Sequence, residues 1–314
     1  MQVQQEPTIY QGLLADSRRW EGFVHRNDDI VISAPSKCGT TWMQMLVAMM
    51  IFDTLDLPAP LSNLSPWLDM TTSPLEDVHH QLASQSHRRF IKTHVPLDGL
   101  PIDDRVTYLV VGRDPRDVWA SMEHHRENFS RERARALRRQ AMGDTGVSEI
   151  TEIEYPRERT SWFRFQSELA RGRDHTQAHL AHVLHHLHTG WERRHERNVH
   201  LFHYADLHGD LLPELERLAA ALDIELEACR LEELSQGASL SAMRFQATER
   251  APEASKGLWK DPAAFFRSGK VGEWRTRFHP EDLRHYEDRV SELVAGDQAF
   301  LEWVHRGWRA ASPR

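Results

Sequence analysis

Short runs of β-branched and other apolar residues alternate along the chain with longer segments whose apolar positions recur every three or four residues. The runs at 30–33, 90–92, 106–111 and 199–203 read as strands, and the segments at 42–52, 115–125, 179–194 and 211–222 read as helices. Strands separated by helices predict an α/β fold: a P-loop-like, mainly parallel β-sheet with right-handed crossovers and helices on both faces. Ligands in such sheets bind at the carboxyl ends of the strands. The loop at 34–41, "KTH" at 92–94 and "GRDPRD" at 112–117 each close or follow a predicted strand, so all three are expected on one rim.

The pattern breaks between about 126 and 174. There "RERARALRRQ" and "YPRERTSWFRFQSELARGRD" are rich in charge and lack β-branched runs. They read as a helical or lid insertion on the acceptor side, or as a solvated helical excursion. No internal repeat and no long Pro, Gly or Ser linker occurs, so one domain over 1–314 with an insertion at about 126–174 is the simplest organisation.

Composition narrows the partners. The 314 residues are 40% hydrophobic and include 10 tryptophans, ample for a buried core. A net charge of -8 argues against a nucleic-acid binder, so an anionic ligand must be met by locally placed Lys and Arg. The 2 cysteines, Cys38 and Cys229, lie far apart without metal-ligand spacing, which suggests neither a disulfide framework nor a zinc site. "MQVQQEPTIYQG" lacks the basic start and apolar core of a signal peptide, and no apolar run approaches the roughly 18 residues of a membrane span. A cytoplasmic protein without an integral membrane segment is expected. His175, His179, His182 and His186 share one helical face; no carboxylate or cysteine completes a metal set, so a solvated or cleft-lining stripe is preferred over a metal site.

Four stretches carry candidate chemistry. "SAPSKCGTTW", at 33–42, joins a strand to a helix, where free N–H groups and the helix dipole favour an anion. Thr40 and Thr41 add hydroxyls, Gly39 allows close backbone approach, and Lys37 supplies a mobile charge. It is not a Walker A loop, because the lysine position of that motif would fall on Thr40. An ordinary capped helix with a solvated lysine is the plainer reading. In "RRFIKTHVPLDGLP", His94 and Lys92 share one face of an extended chain, and a neighbouring cation favours the neutral imidazole that accepts a proton. With 20 histidines in the chain, a structural or exposed role is the alternative. In "YLVVGRDPRDVWASM", Arg113 ends a strand and can fork onto a phosphate, or pair with Asp114 or Asp117; Asp114-Pro115 looks like a helix cap, with Ser121 two turns on. In "FFRSGKVGEWRTRF", two basic residues and two glycines at 267–272 describe a backbone that can wrap an anion.

In this order the four stretches resemble the cytosolic-type sulfotransferases, which transfer a sulfonate from 3'-phosphoadenosine 5'-phosphosulfate (PAPS) to a hydroxyl and release the 3',5'-bisphosphate PAP. "KCGTTW" is similar to that family's phosphosulfate loop K-S-G-T-T-W, "KTH" to the segment with the catalytic histidine, "GRDPRDVWAS" to the strand and helix that hold the 3'-phosphate, and "RSGKVGEW" to the closing R-K-G-x-x-G-D-W loop. "FHYADL" resembles the segment whose tyrosine contacts adenine. The resemblance implies that Lys37, Cys38, Gly39, Thr40, Thr41 and Trp42 surround the phosphosulfate. It likewise assigns Arg113, Ser121, Arg267, Ser268 and Gly269 to the 3'-phosphate and Tyr204 to adenine. His94 is then the general base of an in-line transfer, assisted by Lys37 and Lys92, with no metal.

Cys38 stands where the family has serine and Ser268 where it has lysine. "SLSAMR" keeps the family's T-S-F-x-x-M pattern only in part. The short dimer motif K-x-x-x-T-V-x-x-x-E would align on "RTRFHPEDLR", where Thr-Val becomes His279-Pro280, so a homodimer by that route is not expected. Within the family, "SAPSKCGTTW", "RRFIKTHVPLDGLP" and "LFHYADL" look like an actinobacterial branch of glycolipid sulfotransferases.

The acceptor, a small molecule such as a phenol or alcohol or a lipid hydroxyl, is expected against Trp67, Phe129 and the insertion, where Trp162, Phe163 and Phe165 add aromatic surface. Core packing is the other reading of these rings. The rival functions are a catalytically silent nucleotide-binding scaffold and an ATP-dependent P-loop kinase; the kinase lacks both the Walker lysine and an obvious aspartate for Mg²⁺.

Overall fold

A computed structural model describes residues 6–143, 179–238, 254–266 and 269–311. The described strands are β1 (Ile30–Ser33), β2 (Phe90–Thr93), β3 (Thr107–Gly112) and β4 (Val199–His203), all parallel in the order β2-β1-β3-β4. Register places Ile30 beside both Phe90 and Thr107, and Tyr108 beside Val199. β1 therefore has the strand that follows it on one side and β3 on the other. That reversal of order is a topological switch point, and the loops leaving β1, β2 and β3 open there together.

The helices are α1 (Thr40–Phe52), α2 (Leu61–Leu64), α3 (Leu75–Ser84), α4 (Pro115–Asn128), α5 (Arg131–Met142), α6 (Leu180–Glu192), α7 (Tyr204–Gly209), α8 (Leu211–Ala221), α9 (Ala228–Gly237), α10 (Pro280–Leu293) and α11 (Gln298–Ala311). They flank both faces of the sheet. α1 is apolar all round, as a helix enclosed by the fold must be, and its one buried amide, Gln44, donates to Ser65 O at 3.2 Å and Ser65 Oγ at 2.9 Å. On the other face α6 approaches β3 closely, since a β-carbon at Gly190 would lie 2.9 Å from Val110.

Two expectations are corrected here. The histidine stripe is neither solvated nor cleft-lining: His179, His182 and His186 are buried under the sheet, and His186 Nε2 lies 2.8 Å from Ser33 Oγ, whose own hydrogen goes to Val95 O. His175 lies outside the described residues. The start of the charge-rich region is not a solvated excursion either. Residues 126–128 finish α4, and α5 buries Ala134 and Arg138, whose Nη1 donates to Gly12 O at 2.9 Å and Leu13 O at 3.1 Å. Trp162, Phe163 and Phe165 lie outside the described residues.

Candidate active site

The chain turns from β1 into α1 through two left-handed residues, Lys37 at φ 69° and Gly39 at φ 100°. No side chain caps α1, and its first internal hydrogen bond runs from Met43 N to Gly39 O. The N–H groups of Thr40, Thr41 and Trp42 consequently have no partner inside the helix. Thr40 Oγ1 is buried and has no hydrogen-bond partner among the described residues. Donors left open around a helix N-terminus fit an anionic phosphosulfate.

Gly39 answers two demands at once. Its φ disfavours any side chain, and an added β-carbon would sit 2.8 Å from Cδ2 of Tyr204. A Gly39→Ala variant is expected to lose about 1–3 kcal/mol of stability from backbone strain alone and to bind PAP at least tenfold more weakly, read by thermal unfolding and by calorimetric titration.

Cys38 does not reach the cleft. Its side chain is fully buried in the main core, its N–H donates to Pro35 O at 3.2 Å, and burial pushes its thiol up to about 12. The left-handed turn at Lys37 aims the neighbouring side chain inward, so the cysteine fills space instead of meeting a ligand.

At the end of β2, His94 Nδ1 lies 2.6 Å from Ala34 O, so this nitrogen carries a hydrogen and, in the neutral ring, Nε2 holds the lone pair. The ring meets Trp67 edge to face at 4.8 Å, and Lys92 Nζ stands 4.3 Å from the centroid of the same indole. Trp67 is placed by its own Nε1 donating to Asp69 at 2.8 Å. One tryptophan thus orients both the imidazole and the ammonium.

At the end of β3, Arg113 is not ion-paired with Asp114 or Asp117. Its Nη1 donates to Lys37 O at 3.0 Å and its Nη2 to Lys270 O at 3.1 Å, while the guanidinium lies 4.3 Å from the Tyr204 ring. Its Nε is buried without a hydrogen-bond partner among the described residues. Asp114 instead caps α4 and takes Arg116. Asp117 accepts from Gly272 N at 2.6 Å and Trp274 N at 3.2 Å, pinning the 269–276 segment to α4; burial raises its pKa against those donors. Sequence reasoning missed this anchor, whose only signal was an aspartate one turn after Arg113.

Tyr204 donates to Gly269 O at 3.0 Å and meets Trp42 edge to face at 5.4 Å, and Trp42 Nε1 donates to Ala238 O at 3.1 Å. Two aromatic rings, set edge to face and each tied to a loop carbonyl, thus form an aromatic corner of the site. "SLSAMR", Arg267 and Ser268 lie outside the described residues.

These groups line one cleft of about 400 Å³, with Lys37, Gly39, Thr40, Thr41, Trp42, Lys92, His94, Arg113, Ser121, Tyr204 and Gly269 all in its wall. Trp67 and Phe129 line it too. Not anticipated were His125, which lies parallel to Phe129, Trp259, which is tilted against Phe129, and Phe265, which meets His125 and Trp259. Behind them a small apolar cluster joins Ala15, Trp67, Met70, Ala134 and Leu258, so α5 supports the wall from outside. Among the described residues no group of His, Cys, Asp or Glu is placed to hold a metal ion, and no helix is long and apolar enough to cross a membrane.

Comparison with known proteins agrees with this arrangement. The sulfotransferase domain model matches residues 27–298. A glycolipid sulfotransferase of Mycobacterium bovis is 44% identical over 97% of this chain and 96% of its own length, and one from Mycobacterium tuberculosis is 44% identical with the same coverage. Among solved structures, a retinol dehydratase in complex with retinol and PAP superposes with TM-score 0.68 at 20% identity, covering 90% of this chain and 85% of that one. A mouse sulfotransferase complexed with PAP gives 0.65 at 20% identity, covering 93% and 92%. With a family model spanning most of its length and relatives this similar, the chain belongs to the sulfotransferase family.

Proposed function

We propose that this sulfotransferase moves the sulfonate of PAPS in line to a hydroxyl of a glycolipid-type acceptor, with His94 as general base. The observation that carries the reading is the fixed tautomer of His94, whose Nε2 lone pair stands in a cleft wall that also holds Lys37 and Lys92. PAPS supplies a sulfonate already activated by its bond to phosphate. His94 Nε2 takes the hydroxyl proton as the acceptor oxygen bonds to sulfur and the bond from sulfur to the phosphate oxygen breaks. Lys37 and Lys92 place positive charge where the departing phosphate and sulfonyl oxygens gain negative charge. The loop 37–42 would hold the phosphosulfate; Arg113, Ser121 and Gly269, with Arg267 and Ser268, the 3'-phosphate; and Tyr204 and Trp42 the base. The scheme uses no metal.

For the acceptor, the mycobacterial relatives' name and the aromatic wall of Phe129, Trp259 and Phe265 point the same way. The free thiols of Cys38 and Cys229 suit a reducing cytoplasm. A homodimer would need a surface other than the family's motif segment, because His279 and Pro280 there open α10 in a capping box.

The test is thermal unfolding with PAP against ATP plus Mg²⁺. PAP at 100 times its Kd adds about 2.7 kcal/mol, a shift of several degrees. A larger shift with ATP and Mg²⁺ favours the kinase. PAP binding without turnover over a broad hydroxyl panel favours the silent scaffold.

A further inference from the structure

One face of α4 presents Ser121 and, a turn later, His125 to the cleft, and Phe129, the extended residue that follows the helix, lines it too. Ser121 stands at the cofactor end with Arg113, and Phe129 at the aromatic end with Trp259. His125 lies between them and meets Lys37, whose Nζ is 3.5 Å from His125 Nδ1 and 4.3 Å from the centroid of Phe265. An ammonium has only donors, so at that contact Nδ1 must offer a lone pair.

The surroundings favour that state. Burial holds the His125 pKa well below the ordinary range, and the charges of Lys37 and Lys92 and the His94 ring act in the same direction. Phe129 stacks parallel to the imidazole at 6.0 Å, with Trp259 at 4.9 Å and Phe265 at 6.0 Å around it. The ring is clamped by its neighbours, and the Lys37 backbone is committed to a left-handed turn. Only the four-carbon stem of the lysine is left to be fixed, and its rotamer freedom is large.

We infer that His125 is a positioning residue for Lys37, its Nδ1 lone pair holding the ammonium at the junction between the cofactor and acceptor halves of the cleft. The inference rests on the reading of Lys37 as a group that stabilises charge during transfer.

The test is a four-member cycle of wild type, His125→Phe, Lys37→Met and the double variant, assayed with PAPS and octyl glucoside. Phenylalanine keeps the stacked ring and removes the acceptor. His125→Phe is expected to lower kcat about tenfold, the effect of one hydrogen bond to a charged group, with acceptor KM little changed, and to add nothing in the Lys37→Met background. His125→Gln, which restores an acceptor, should recover part of the loss. Unimpaired Lys37→Met overturns the reading of Lys37 itself. Impaired Lys37→Met with unimpaired His125→Phe, or losses that multiply in the double variant, overturns the inference alone. Imidazole NMR of the full chain gives an answer independent of any acceptor: at neutral pH His125 should be the Nε2–H tautomer, with an Nδ1 signal that moves in Lys37→Met. A cationic ring or an Nδ1–H tautomer overturns the proposal.

Discussion

Turnover of the His94→Ala variant is expected to fall by about 10² to 10⁴ while its affinity for PAP stays near that of the wild type. The two expectations separate because different elements supply the groups. The proposed base stands at the end of β2, where Ala34 O meets Nδ1 and Trp67 meets the ring edge to face. In the proposed scheme the cofactor is held elsewhere, by the loop into α1, by Arg113 and by the segment that Asp117 pins. Removing the imidazole also leaves Ala34 O without that donor, a cost of about 1–3 kcal/mol to stability, so rates should be compared well below the unfolding transition. Wild-type-like kcat removes His94 from the role of base. Lost PAP affinity would instead show that the imidazole holds the loop in shape.

The backbone was legible where burial and period coincide. The runs at Ile30–Ser33 and Val199–His203 are short strands, buried at every position but His200, and both bounds match the sequence reading. α1 begins two residues before the apolar pattern does, because Thr40 and Thr41 form its open first turn. α4 runs three residues beyond its apolar pattern, through Arg126, Glu127 and Asn128, because a polar final turn carries no core-facing period.

The meeting of Lys37, Lys92, His94 and Arg113 in one cleft was legible by the same logic, since a parallel sheet delivers its strand ends to one rim. Buried polar residues with distant partners were not. Arg138 and His186 look solvent-facing in a string of letters, yet Arg138 is buried against the Gly12 carbonyl and His186 against the Ser33 hydroxyl. For Cys38 the resemblance implied a place around the phosphosulfate, while its side chain is buried in the main core. His125 was hidden among neighbouring histidines; its meaning lies in the turn that separates it from Ser121.

Arg113→Met should weaken PAP binding by about 10²-fold or more, because two charge-assisted hydrogen bonds to phosphate, each near 1.5–3 kcal/mol, are expected of a guanidinium fork. The wild-type arginine already spends two N–H groups on Lys37 O and Lys270 O, which leaves its buried Nε as a donor in need of an acceptor. It therefore joins the loop between β1 and α1 to the 269–276 segment. Part of the loss in Arg113→Met could come from that scaffold and part from the phosphate, and calorimetric titration with two ligands separates them. PAP carries the 3'-phosphate and adenosine 5'-phosphate does not. If Arg113 binds the 3'-phosphate, the wild type prefers PAP strongly and the variant loses most of that preference; Arg113→Lys, keeping charge without the fork, should fall between them. An equal loss for both ligands would assign Arg113 to holding the two loops together and leave the 3'-phosphate to Ser121 and the 267–269 segment.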